Sequence, residues 1–133
     1  MRAAEQTDRH ELHGAQTVLL VGDVRKTVAF YCDVLGFRLD FEWGDPPTHA
    51  RVSSGDRSHA SAARIHFHEA DPTLLKHKTC SIYVHVGNDL DELCRELKSR
   101  GVEVVEEPTE RPWGRQFGIH DINGFLLLFL ASS

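Results

Sequence analysis

The sequence predicts an α+β fold of two tandem βαβββ modules, whose curved mixed β-sheets form a cleft and carry their helices on the outer face. Three observations lead there. Strand-like runs surround two amphipathic helical segments. Val21-Gly22-Asp23-Val24 is echoed by Val86-Gly87-Asn88-Asp89-Leu90, and Gly36-Phe37 by Gly101-Val102. The last third, from Pro112 to Phe129, reads as an aromatic turn followed by a hairpin. Val21 to Val86 is 65 positions and Asp23 to Asp89 is 66, about half of the 133-residue chain. A repeat of that length means two copies of one supersecondary unit, because a solenoid needs at least about three shorter repeats.

Taken in order, residues 1–13 are polar and aperiodic, which predicts a flexible arm. Its His10 and His13 have no third metal ligand beside them. A single domain is expected over 14–133, with modules at 14–69 and 79–131 and a connector at 70–78. QTVLLV at Gln16–Val21 reads as a strand. Asp23 then fits an N-cap, and Val24, Val28, Tyr31 or Cys32, and Leu35 share a helical face that Gly36 ends. Strands follow at Phe37–Trp43, His49–Ser53 and Ala63–His68, interrupted by Pro46-Pro47 and a polar loop at Ser54–Ser61. The second helix carries Leu90, Leu93, Cys94 and Leu97, with Asp89 and Glu92 as a capping box. Further strands are expected at Val102–Glu106, Gln116–Asp121 and Phe125–Leu130. The turn between the last two, Asp121-Ile122-Asn123-Gly124, has residues that tolerate chain reversal.

Alternation assigns an open face, the one without helices. With Ile82, Val84 and Val86 turned to the helix, Ser81, Tyr83 and His85 point the other way. Gln16, Val18 and Leu20 do the same in the first strand, while His66 and His68 oppose Ile65 and Phe67. Two such faces brought together form a cleft.

Composition removes several function classes. The formal charge is −5, from 20 acidic and 15 basic residues without a basic cluster, which opposes nucleic-acid binding. No apolar run approaches the roughly 18 residues of a membrane helix. Cys32, Cys80 and Cys94 are odd in number and widely spaced, so buried, reduced thiols in a cytoplasmic protein are expected. Neither a nucleophile elbow nor a glycine-rich phosphate loop is present.

The order and spacing of Val21-Gly22-Asp23-Val24, Phe30-Tyr31-Cys32-Asp33-Val34-Leu35-Gly36-Phe37, their repeats and the final hairpin resemble the vicinal oxygen chelate superfamily. The resemblance covers about Ala15 to Leu130 and is greatest to the bleomycin-resistance type, through Pro112-Trp113-Gly114-Arg115 and Gly36-Phe37 followed by Asp40-Phe41. It implies a homodimer with ligand grooves between chains. The positions that hold metal in the superfamily's enzymes fall on Gln16, His66, Ser81 and Leu128. Gln16 and His66 are able to ligate; Ser81 is a poor ligand and Leu128 is none. No cofactor and no catalytic metal are therefore expected. A shifted site among His66, His68, His85 and His120 is the alternative to ordinary half-exposed strand histidines.

The aromatic lip carries the functional expectation. Trp113 lies in a turn, where packing alone seldom explains an indole, and the resemblance implies that it lines a drug groove. The candidate ligand-binding residues are Trp113, Phe41, Trp43, Tyr83, His66, His85, Arg115 and Phe117, with Phe41 and Phe117 reading equally as core. Asp40, Glu42 and Asp45 would complement a cation. The expected function is metal-free sequestration of an aromatic, cationic antibiotic or metabolite. The alternative is a metal-dependent lyase, isomerase or transferase of the glyoxalase or fosfomycin-resistance type.

Overall fold

The computed structural model describes residues 15–55, 62–76, 80–87 and 89–131. The expected arm at 1–13 and most of the loop at 54–61 lie outside them. Strand β1 (Thr17–Val21) leads through helix α1 (Val24–Ala29) to β2 (Arg38–Trp43), β3 (His49–Ser54) and β4 (Ala63–Glu69). Strand β5 (Ser81–His85) leads through α2 (Leu90–Ser99) to β6 (Val104–Arg111), β7 (Gly114–His120) and β8 (Leu126–Ala131). The sheets have the orders β1-β4-β3-β2 and β5-β8-β7-β6, the same topology twice. In each, the first strand pairs parallel with the fourth and the other pairs are antiparallel. The repeat seen in the sequence is thus a repeat of topology.

Asp23 caps α1 through the Lys26 amide, 2.9 Å from Oδ1. The helix then widens into a π-turn at Phe30–Val34, which brings Tyr31 rather than Cys32 into the core. Gly36, at φ +85°, ends it, and the Phe37 amide reaches back to the Tyr31 carbonyl at 2.9 Å. Asp89 makes no side-chain cap, contrary to the expected capping box. Its φ of −104° and ψ of 34° depart from the extended conformation from which a cap reaches the next turn. The connector holds a short 3₁₀ turn at Pro72–Leu75.

Strand β6 is longer than expected and includes the charged run through Arg111. Pro108 is tolerated because β6 is an edge strand, and its ladder to β7 slips on either side of Glu106. Pro112 and Trp113 form the turn into β7. Gly114 is obligatory there: at φ +144° a Cβ would lie 2.6 Å from the Ala131 carbonyl oxygen.

The core lies between the sheets' inner faces and the helices, and one continuous cluster includes residues of both modules. Phe117 and Phe129, opposite each other on β7 and β8, stack at 5.0 Å. The modules are also joined by polar contacts on the helix side. Tyr31 Oη donates to Asp121 Oδ2 at 2.7 Å, Asn123 Nδ2 to Thr27 Oγ1 at 3.0 Å, and Arg100 Nη1 to the Val34 carbonyl at 2.8 Å. Asp121 is buried, and its Oδ1 also accepts from the Asn123 and Phe125 amides. No described helix is long and apolar enough to cross a membrane.

Candidate ligand-binding surface

On the second sheet, Phe117, Ile119, Leu127 and Phe129 point into the core, so Gln116, Gly118, Leu128 and Leu130 take the open side. Tyr83 pairs with Leu128 and Ser81 with Leu126, as alternation in β5 requires. Trp113 overhangs this face and is 54% exposed, yet its indole N–H donates to Gln116 Oε1 at 2.8 Å. The same oxygen accepts from the Tyr83 hydroxyl at 3.3 Å. Gln116 Nε2 donates to Glu106 Oε1 at 2.7 Å, and Arg111 holds the other Glu106 oxygen at 2.8 Å. These contacts from Gln116 and Arg111 keep the Glu106 carboxyl below its usual range, against the effect of burial. The buried amide of Gln116 therefore orients two aromatic rings whose faces remain open.

On the first sheet, register brings three histidines together. His49 lies opposite His68 across β3 and β4, and His66 opposite Arg51. His49 Nδ1 is 3.1 Å from His68 Nδ1, and His49 Nε2 is 2.9 Å from His66 Nδ1. His66 Nε2 is 2.6 Å from Gln16 Oε1. Burial, then His49 and Arg51, lower the pKa of His66, favouring neutral imidazole. Phe41 lies nearly parallel to His49, with centroids 6.1 Å apart, and carries the Arg51 guanidinium 5.3 Å from its own centroid. Trp43, opposite His49, is 70% exposed.

The structure brings together Trp113 and Tyr83 on one sheet, and Phe41, Trp43 and His66 on the other. His85 is exposed on the open face of β5. For four residues the structure departs from the expectation. Phe117 is fully buried and belongs to the core, because β7 alternation turns it inward with Ile119. Arg115 shares that phase and reaches α2 instead, where Nε and Nη2 hold both Asp91 oxygens at 2.8 Å. Asp40 is only 6% exposed at its side chain and is engaged by Arg51 and Ser53, both at 2.9 Å. It is not available to a guest, whereas Glu42 and Asp45 are exposed. Cys80 is exposed rather than buried.

Gln116, Glu106, His49 and Arg51 escaped the sequence reading. An alternation count begun from Phe117 and Ile119 would have found Gln116; the histidine cluster depends on cross-strand register, which sequence does not give. A cavity of about 310 Å³ between Gly22–Lys26, Pro46-Pro47 and Glu69 is lined by none of these aromatic or histidine residues.

Of the four superfamily metal positions, Gln16 and His66 bind each other, Ser81 offers a hydroxyl and Leu128 a hydrocarbon. This donor set does not fit a catalytic divalent metal, which takes about three protein ligands. Among the described residues no group of three or more His, Cys, Asp or Glu is placed to hold a metal ion.

The fold is similar to that of the bleomycin-binding protein from bleomycin-producing Streptomyces verticillus, solved with copper(II)-bleomycin. The identity is 28% and the TM-score 0.72, covering 93% of this chain and 99% of that one. TnmS3, an antibiotic-binding protein from Streptomyces sp. CB03234, shares the fold at 23% identity and TM-score 0.69, covering 93% and 100%. TioX from Micromonospora sp. ML1 does so at 21% and 0.68, covering 90% and 96%. No curated protein sequence matches. The family profile described as Glyoxalase/Bleomycin resistance protein/Dioxygenase superfamily matches residues 14–129, nearly the whole chain. Two βαβββ modules of the same topology, with open faces that differ in chemistry, are thus the form this protein takes as a member of the glyoxalase/bleomycin resistance protein/dioxygenase superfamily.

Proposed function

We propose that this protein sequesters an aromatic, cationic antibiotic or metabolite of the bleomycin class, as a cytoplasmic homodimer with grooves between its two chains. The reading rests on one observation above all: Trp113 is fixed by its indole N–H while its ring remains exposed on the helix-free side. An aromatic held in place before binding loses little freedom when a flat guest stacks on it. Tyr83 adds a second ring that is also tethered to Gln116. Phe41 and Trp43 give the first sheet a comparable apolar rim, with Glu42 and Asp45 nearby to complement positive charge.

Val18, Leu20, Phe41, Trp43, Tyr83 and Trp113 are all exposed in one chain. Contiguous exposed apolar surface marks a place for a partner or a ligand. A second copy that sets the first sheet of one chain against the second sheet of the other would use both faces. The mechanism is stoichiometric capture: the guest is desolvated and held, and no bond is made or broken. The metal-dependent enzyme reading is disfavoured by Ser81 and Leu128 at the ligand positions.

Trp113→Ala is expected to weaken bleomycin binding at least tenfold, a loss of about 1.4 kcal/mol, in a fluorescence titration. Trp43, the other tryptophan, supplies the remaining signal. Unchanged affinity would remove Trp113 from the site.

A further inference from the structure

With Gln16 presenting its Oε1 and the imidazoles neutral, the contacts of the first sheet set where the protons lie. Gln16 Oε1 only accepts, so His66 Nε2, 2.6 Å away, carries a proton. In neutral His66, Nδ1 is then an acceptor, and the partner at 2.9 Å, His49 Nε2, must donate. By the same rule His49 Nδ1 accepts, and His68 Nδ1, at 3.1 Å, must donate to it. The chain thus runs in one direction, from His68 through His49 and His66 to Gln16. Among the described residues it leaves the lone pair on Nε2 of the exposed His68 uncommitted.

We propose that this terminus is a second binding subsite, in which His68 Nε2 accepts a hydrogen bond from an amidinium or ammonium group of the guest. The inference rests on the capture function proposed above and names the chemistry of one part of its guest. A charged donor gains more than a neutral one at such an acceptor. Trp43, opposite His49 and 70% exposed, supplies a π face on the same side for a cation.

Beside the imidazoles on this face lie Val18 and Leu20 of β1 with Gln16 just before that strand, Arg51 of β3, whose charge is met by Asp40 of β2, Arg64 of β4, and Arg38 of β2 opposite Ser53.

Ring ¹H–¹⁵N correlation spectra of the whole protein test this without any guest. His68 is expected as the Nδ1–H tautomer, and His49 and His66 as Nε2–H tautomers, at pH 7.5. Benzamidinium, used as the probe, should then shift the His68 Nε2 resonance saturably, with affinity falling at least fivefold in His68→Ala. An Nε2–H tautomer at His68, or no shift of that nitrogen at saturating benzamidinium, would overturn the proposal. Failure of the capture reading has a different signature: His68 behaves as expected while Trp113 fails to respond to bleomycin.

Discussion

The two modules share one topology but present different chemistry on their open faces. The first sheet carries a chain of three imidazoles with Arg51 and Asp40 beside it. The second carries a hydrocarbon floor, Leu128 and Leu130, under two aromatic rings tethered by one amide. Toward the helices the two are alike, with apolar side chains in alternate positions on every inner strand. The strand pairing and the helix-facing core can therefore be duplicated without duplicating a binding surface. Function is written on the residues that alternation leaves free.

The sharpest way to break this division is to change residues one position apart on β7. Phe117→Ala empties a fully buried site and should cost about 3–5 kcal/mol of stability in a denaturant titration. A small loss there, with guest binding abolished, would return Phe117 to the binding surface.

The contact between modules is the next test. Tyr31→Phe removes one hydrogen bond to the buried Asp121 carboxylate, at a cost of about 1.5–3 kcal/mol. Burial first, and then Asp121, push the Tyr31 pKa above its usual value of about 10. The neutral phenol is favoured in the folded state, so this stability is complete below about pH 10 and is lost as pH rises beyond it. The alkaline limb of a stability–pH profile should flatten in Tyr31→Phe; identical limbs would show that this tyrosine does not govern it.

Gln116→Leu sharpens the comparison from the other side. It frees the Trp113 N–H and should weaken bleomycin binding by about 1 kcal/mol, roughly fivefold, the typical net value of one hydrogen bond. Full affinity would mean that the indole needs no tether.

Much of this organisation was legible in the sequence. The echo of Val21-Gly22-Asp23-Val24 after half the chain marked the duplication, and alternation in β5 placed Tyr83 and His85 on the open face. Tyr31 and Cys32 were indistinguishable as core residues, because a one-residue widening of the helix decides between them. Strand β6 was cut short because charge and Pro108 imitate a loop, although an edge strand accepts both. Arg115 came into the expected site with the Pro112-Trp113-Gly114-Arg115 stretch of the bleomycin-resistance type, and in the fold its guanidinium holds Asp91, 24 positions away. His49 gave no signal by itself: its role arises from pairing with His68 across a register set in three dimensions.

The central claim, capture without chemistry, is tested most directly by calorimetric titration of the protein with bleomycin, followed by mass analysis of the recovered drug. The account predicts saturation at one molecule per chain, two per dimer, with the drug recovered unmodified. Absence of saturable binding, or a drug whose mass has changed after incubation with the protein, would contradict it.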